Sequence, residues 1–350
     1  MFSHKLLKKL RDRIKKRKIN KMLNAVQFKN GVLYCGDALE TLNTLESSSI
    51  DCVVTSPPYF HLRDYGVKGQ IGLESTPELY IERLTLVFSE VMRILKPTGT
   101  LWINIGDSYI SHKARSNSKH TSSKGKSMNA AYDAMKRSTD LHGKHGYLHK
   151  NLIGIPWKLA FALQANGWYL RQEIIWHKPN PMPESVTDRC TKAHETVFML
   201  VKERYYFYNS EAVLEDSVTN AKHKNWKDKN YDQTMLANKQ ANGVKGRPSG
   251  VAGYTKPGKR NRRSVWTIPV KPFKGTHFAV MPTALVEPCI LAGCPEDGIV
   301  LDPFMGSGTV AEVATSLGRH WIGIELNKDY ISLVKNRLDS IKSNRKDLFS

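Results

Sequence analysis

The chain has 350 residues, with 53 Lys and Arg against 32 Asp and Glu, a formal charge of +21 and 40% hydrophobic content. That length can bury a sizeable core as one large or two smaller domains, and that composition excludes collagen-like and wholly disordered classes. No apolar run approaches about 18 residues, no signal core opens the chain, and five cysteines form no CxxC pair. A cytoplasmic protein is expected, with no membrane span, disulfide framework or metal.

The charge is concentrated. Residues 1–24 hold ten Lys and Arg against one acid, residues 111–150 nine against two, and residues 218–263 twelve against two, which leaves the remaining chain net acidic. An acidic body with three basic appendages suits a polyanion, nucleic acid foremost. Taken singly, each segment has a plainer reading as a solvated tail kept for solubility, and the three together weigh against it.

In chain order, residues 1–24 place Leu6, Leu7, Leu10 and Ile14 at helical spacing among basic residues. This is a basic amphipathic arm fit for DNA, a membrane surface or a partner. Gly31 to Cys35 reads as a strand, with Asp37 at its end opening a helix, where capping is the plain role. "IDCVVTS" is a second buried strand, and "SPPY" follows it at once. Pro77 to Leu95 is an amphipathic helix, "KPTGT" is its stop, and Leu101 to Ile105 is a third strand. Residues 111–150 read as a long mobile loop. "IPWKLAFALQANGW" is then a helix, and "YLRQEIIWHKP" and "ETVFMLVK" are strands.

Residues 209–263 break the pattern, with basic side chains interleaved with Trp226, Tyr231 and Tyr254. After them "MPTALVEPCILAG" is a helix, and "GIVLDPFMGSGTVAEVATSLG" is a strand, a glycine turn and a helix. "HWIGIEL" is a strand ending in Glu325, and Lys328 to Ile341 a last helix. Helices alternating with strands predict an α/β fold, a doubly wound and mainly parallel sheet of the Rossmann-like type.

Two motifs carry chemistry. In "IVLDPFMGSGTV" the glycines let the backbone turn tightly and approach a ligand, and an acid at the end of the next strand can accept from both ribose hydroxyls. Position 311 is Ala, so the full dinucleotide fingerprint is absent and an adenosyl ligand without a pyrophosphate fits better. In "TSPPY" two prolines without amide protons fix a rigid, extended peptide with free carbonyls beside an aromatic ring.

"DPFMGSGT" resembles the S-adenosylmethionine loop of the DNA amino-methyltransferases, and "TSPPY" resembles their catalytic tetrapeptide. With the tetrapeptide preceding the cofactor loop, the arrangement is similar to the circularly permuted β class. The resemblance covers roughly residues 28–110, 150–208 and 270–342. It implies that S-adenosyl-L-methionine is held by Asp302, Pro303, Phe304, Gly306, Ser307, Gly308 and Thr309, with Glu325 on the ribose and Asp37 on the adenine amino group. "HFAVMPTALVEPCI" is similar to the segment beside the methionine moiety.

The resemblance also implies that Ser56, Pro57, Pro58 and Tyr59 are catalytic. The Ser56 hydroxyl and Pro57 carbonyl would accept from the target amino group, and Tyr59 would stack on a flipped-out base. Serine at the head of the tetrapeptide resembles the N4-cytosine enzymes, with N6-adenine as the alternative. An RNA or protein-amide methyltransferase, usually headed by Asn, is a more distant one. Cys289 in "EPCIL" reads as a buried structural thiol instead of a nucleophile.

The domain organisation follows. Residues 1–24 are a basic arm and 25–208 the catalytic half. Residues 209–263 are a target-recognition insertion, with Lys256, Lys259, Arg260, Arg262 and Arg263 on DNA, and 264–350 are the cofactor half. The expected partners are double-stranded DNA and, functionally, a cognate restriction endonuclease, with the protein a monomer or a homodimer.

Overall fold

Five strands run parallel through the middle of the sheet, and their shared end positions the site. The computed structural model describes residues 24–62, 64–110, 141–142, 145–217, 259–270 and 281–346. The basic arm, most of the 111–150 segment, Lys256 and the His277-Phe278 pair lie outside them.

Strand β1 (Ala25–Gln27) and β2 (Gly31–Cys35) form a hairpin, and the short helix α1 (Ala38–Leu42) follows. β3 (Ile50–Thr55) is buried along its whole length and is mostly apolar, with Asp51 its one charged residue. Helix α2 (Pro77–Ile94) starts where Thr76 accepts from the Leu79 amide and proline takes the first turn. It buries Tyr80, Leu84, Val87, Phe88 and Val91 at helical spacing. β4 (Leu95–Ile105) begins immediately after it.

Here the structure differs from the sequence reading. "KPTG" is not a separate turn. It is an irregularity inside β4, where the register to β3 jumps from Ile50↔Leu95 to Cys52↔Thr100. Pro97 and Thr98 stand exposed there, while Lys96 reaches back to Asp51 at 2.7 Å. A strand tolerates proline at such a bulge.

α3 (Ile155–Ala165), β5 (Tyr169–His177) and β6 (His194–Val201) complete this side, and β6 runs antiparallel to both β4 and β5. Two short strands, β7 (Glu215–Asp216) and β8 (Lys259–Arg260), pair with each other. β9 (Val265–Thr267) joins β5 in parallel. Neither β1 nor β9 stands out in the sequence, since three residues are too few for periodicity.

Then come α4 (Thr283–Gly293), β10 (Ile299–Asp302), α5 (Thr309–Ser316), β11 (His320–Glu325) and α6 (Tyr330–Lys346). The sheet order is β1-β2-β11-β10-β3-β4-β6-β5-β9. Val53, Leu101 and Ile103 share a core with α2 and α3, whereas Val54 and Trp102 pack with Leu285 and Cys289 of α4. Helices therefore cover both faces.

β10 leads to β11 on one side, and β3 leads to β4 on the other. The crevice of a doubly wound sheet opens at such a reversal, at the carboxyl ends of the strands.

The chain divides into two units, Met1–Tyr208 with Ser264–Ser350, and Asn209–Arg263. In the second, Glu215 pairs with both Arg260 and Arg263 at 2.8 Å, and Asp216 with Lys259 at 2.6 Å. Among the described residues no helix is long and apolar enough to cross a membrane.

Candidate active site

β10 ends in Asp302, and the glycine turn follows. The Phe304 amide folds back onto Asp302 Oδ1 at 3.0 Å, and the Met305 amide donates to Ile324 O of β11. Gly306 and Gly308 take φ of 53° and 86°, in the left-handed region that glycine enters without strain. A side chain at Gly308 would also meet Val334 of α6 at 3.1 Å.

Glu325 closes the turn. Its Oε2 accepts from the Gly306 amide at 2.7 Å and its Oε1 from the Asn327 amide at 2.8 Å. Burial raises the Glu325 carboxyl above its ordinary range, against the pull of these amides. Burial also pushes the Asp302 carboxyl up to about 7. The Thr55 hydroxyl and Phe304 amide hold it down, and the nearby Glu325 adds to the rise.

The other wall comes from β3. Thr55 Oγ1 donates to Asp302 Oδ1 at 2.6 Å, tying the end of β3 to the end of β10. Ser56, Pro57, Pro58 and Tyr59 continue outside any helix or strand, and the Tyr80 hydroxyl of α2 donates to the Pro58 carbonyl at 2.8 Å. The Tyr59 phenol donates to Glu195 Oε2 at 2.5 Å and accepts from Asn104 Nδ2 at 2.9 Å. Burial, together with the Glu195 carboxylate, raises the Tyr59 phenol well above its usual value, so it stays protonated.

These pieces line one cleft. Asp37, all four tetrapeptide residues, Asp302, Pro303, Phe304, Gly306, Ser307, Thr309 and Glu325 face it. The loop after Tyr59 adds Leu62, Tyr65, Val67 and Ile71. Arg83 of α2 anchors that loop through the Gly69 carbonyl at 2.5 Å and Glu74 at 3.2 Å.

The donor set fits an adenosyl sulfonium. Carboxylates stand at the ends of three adjacent strands, apolar Phe304 and Ile324 lie between them, and a backbone turn admits close approach. Among the described residues there is no cluster of metal-ligating side chains.

Some expected residues do other work. Gly308 lies behind the turn, against α6. The Ser307 and Thr309 hydroxyls face Arg337 Nη1 at 3.2 and 2.5 Å, and Arg337 also pairs with Glu312, so these side chains brace α5 against α6. Asp37 Oδ1 caps α1 through the Glu40 amide at 3.0 Å while its residue lines the cleft. Lys259, Arg260, Arg262 and Arg263 belong to the second unit. The sequence reading missed Asn104, Glu195, Lys178 and Arg337. A charged residue opening the apolar run "ETVFMLV" was the available signal for Glu195.

The family described as DNA methylase, the N6/N4 methyltransferases, matches residues 50–336. The chain is 43% identical over 319 residues to the Type II methyltransferase M.Cfr9I of Citrobacter freundii, covering 91% of each chain. It is 44% identical over 303 residues to M.SmaI of Serratia marcescens, covering 87% of this chain and 89% of that one. Among solved structures, the protein TTHA0409 of Thermus thermophilus, in complex with S-adenosyl-L-methionine, aligns with a TM-score of 0.52. That alignment has 22% identity and covers 87% and 92% of the two chains, so it speaks for the fold. With its sheet, its cleft and these relatives together, the chain belongs to the N6/N4 DNA methylase family and is a Type II DNA methyltransferase.

Proposed function

We propose that this enzyme moves a methyl group from S-adenosyl-L-methionine to the exocyclic amino nitrogen of a base swung out of duplex DNA, and that the base is cytosine. One observation carries the reading: Ser56 heads Pro57-Pro58-Tyr59 in the same cleft as the glycine turn and Glu325. In this reading Glu325 accepts from the ribose hydroxyls, Asp37 from the adenine amino group, and Asp302 to Gly306 supply the floor. When bound, the sulfonium supplies an electrophilic methyl group.

The amino nitrogen is a weak nucleophile because its lone pair is delocalised into the ring. Acceptors on its N–H bonds favour the pyramidal geometry in which positive charge develops, which is stabilisation confined to the transition state. The Ser56 hydroxyl and the Pro57 carbonyl take that role. Tyr59 offers its ring for stacking, offsetting an extrusion cost on the order of a few kcal/mol. A neutral hydroxyl at position 56 can accept from cytosine N4–H or donate to the ring nitrogen, which a carboxylate cannot do.

Transfer is direct. Cys289 is buried, with its Sγ toward Leu285 O at 3.3 Å, and supplies no nucleophile. The unit 209–263 reads the target, with Lys256, Lys259, Arg260, Arg262 and Arg263 toward phosphates. A cognate restriction endonuclease is its functional counterpart, and the cytoplasm is where both would meet DNA.

Digestion of methylated duplex DNA and separation of its nucleosides tests the reading. N4-methylcytosine is expected. N6-methyladenine would overturn the choice of base, 5-methylcytosine the direct transfer, and label on RNA alone the substrate class.

A further inference from the structure

Behind the tetrapeptide tyrosine lies a buried polar cluster with which methyl transfer itself could dispense. The ring comes from the peptide after β3; β4 and β6 each supply one group to its tip, and the residue after β5 backs one of these. Asn104 of β4 donates from Nδ2 to the Tyr59 oxygen at 2.9 Å and to Glu195 Oε2 at 3.0 Å. Glu195 of β6 accepts the phenol proton on Oε2. Lys178, just beyond β5, donates to Glu195 Oε1.

The register explains why these groups meet. Ile105 pairs with Thr196 and Trp176 with Glu195, so Glu195 lies across from Gly106, and the Lys178 amide continues the ladder onto Ala193 O at 2.8 Å. Gly106 is the seat of the ring: a Cβ there would lie 2.7 Å from Tyr59 Cε2. Lys178 Nζ is fixed on its other side, 4.4 Å from the Trp176 ring centre, and Trp176 Nε1 is tied to the Ile268 carbonyl at 2.8 Å.

An ion pair with 17% and 16% side-chain exposure is a poor source of stability, because desolvation cancels much of its attraction and apolar side chains could fill the same space. What such a pair supplies is direction. A carboxylate held by Lys178 and Asn104 can accept the phenol from one side only, and this sets the ring's rotation about its own axis.

We propose that Glu195, oriented by Lys178 and Asn104, is a positioning residue that fixes the Tyr59 ring as the wall on which the extruded base stacks. The proposal rests on reading Tyr59 as that wall. Glu195→Gln disturbs it with minimal change of shape, since a single amide oxygen cannot serve both the phenol and Lys178, and the amide nitrogen repels whichever donor it faces.

The test is a double-mutant cycle on the full chain with duplex DNA, reading kcat, KM, affinity for S-adenosyl-L-methionine and melting temperature. Glu195→Gln and Tyr59→Phe should each lower kcat about tenfold with cofactor affinity unchanged, and together be no slower than Tyr59→Phe alone. Effects that multiply would overturn the proposal. Should Glu195→Gln lower the melting temperature, Lys178→Met decides: a loss of rate that persists undiminished alongside Tyr59→Phe overturns it as well. Tyr59→Ala separates the two readings. Unchanged methylation there removes Tyr59 as the wall and the proposal with it, whereas lost methylation with multiplying effects defeats only the role of Glu195.

Discussion

Thr55 Oγ1 donates a 2.6 Å hydrogen bond to Asp302 Oδ1, joining two residues 247 positions apart at the point where the two walls of the cleft meet. The bond places the base-handling peptide and the cofactor turn on one rigid seam. It also holds down an acid that burial has pushed up to about 7.

That acid predicts a pH dependence. A folded-state value above the unfolded one means that Asp302 contributes stability fully below the ordinary carboxylate range, and that this contribution is lost as pH rises through about 7. A cation bound beside Asp302 favours the ionised form. Affinity for S-adenosyl-L-methionine should therefore rise with pH through neutrality, and the neutral S-adenosylhomocysteine should show a weaker slope. Asp302→Asn should abolish the difference. Calorimetric titration of both ligands checks this, and equal slopes would remove Asp302 from the sulfonium's surroundings.

Gly106→Ala should act on the rate of transfer and not on the cofactor. A Cβ 2.7 Å from Tyr59 Cε2 must displace the ring. Misplacing a reacting group's support by about 1 Å can lower the rate by about a hundredfold. Single-turnover methylation should slow by at least about tenfold, while cofactor affinity, measured by equilibrium dialysis, stays as it was.

Glu325→Gln should have the opposite profile. The amide keeps an acceptor for the Gly306 N–H, but its NH2 faces the Asn327 N–H and the charge that strengthens hydrogen bonds from the ribose is lost. Hydrogen bonds to charged groups contribute about 1.5–3 kcal/mol, so cofactor affinity should fall about 10- to 100-fold. kcat at saturating cofactor should change little.

In the second unit, replacing Arg260, Arg262 and Arg263 with Ala should flatten the plot of log affinity for DNA against log salt by about 0.9 for each phosphate no longer neutralised. Glu215→Gln should steepen it, because that acid holds Arg260 and Arg263 at 2.8 Å. A salt slope unchanged by either substitution would take these residues off the DNA.

The two motifs were legible because each packs its chemistry into consecutive residues, a strand end followed by a rigid or a tightly turning peptide. The strands that carry them were legible for a related reason: largely buried, they read as short, mostly apolar runs, Val53-Val54 in one and Ile299 to Leu301 in the other. The cluster behind Tyr59 was not legible. Asn104, Glu195 and Lys178 come from two strands and the end of a third and meet only through register, which a linear reading cannot fix. Ser307 and Thr309 line the cleft as expected by the motif, but their hydroxyls meet Arg337, because a motif names positions and not which way a hydroxyl turns. The three-residue β9 was hidden because its parallel place beside β5 depends on a tertiary edge and not on any local pattern.

β10 is wedged between β11 and β3, although β3 precedes it by more than two hundred residues in the chain. A ribosome therefore delivers both flanking borders, β2 and β3, long before the strands that zip them together. During that interval the nascent sheet has two unsatisfied hydrogen-bonding rims, the condition under which chains associate with each other. A message cut short before Ile299 would yield no smaller version of the enzyme, only an aggregation-prone fragment. Slow synthesis of the last fifty residues should be felt first as loss of recoverable protein.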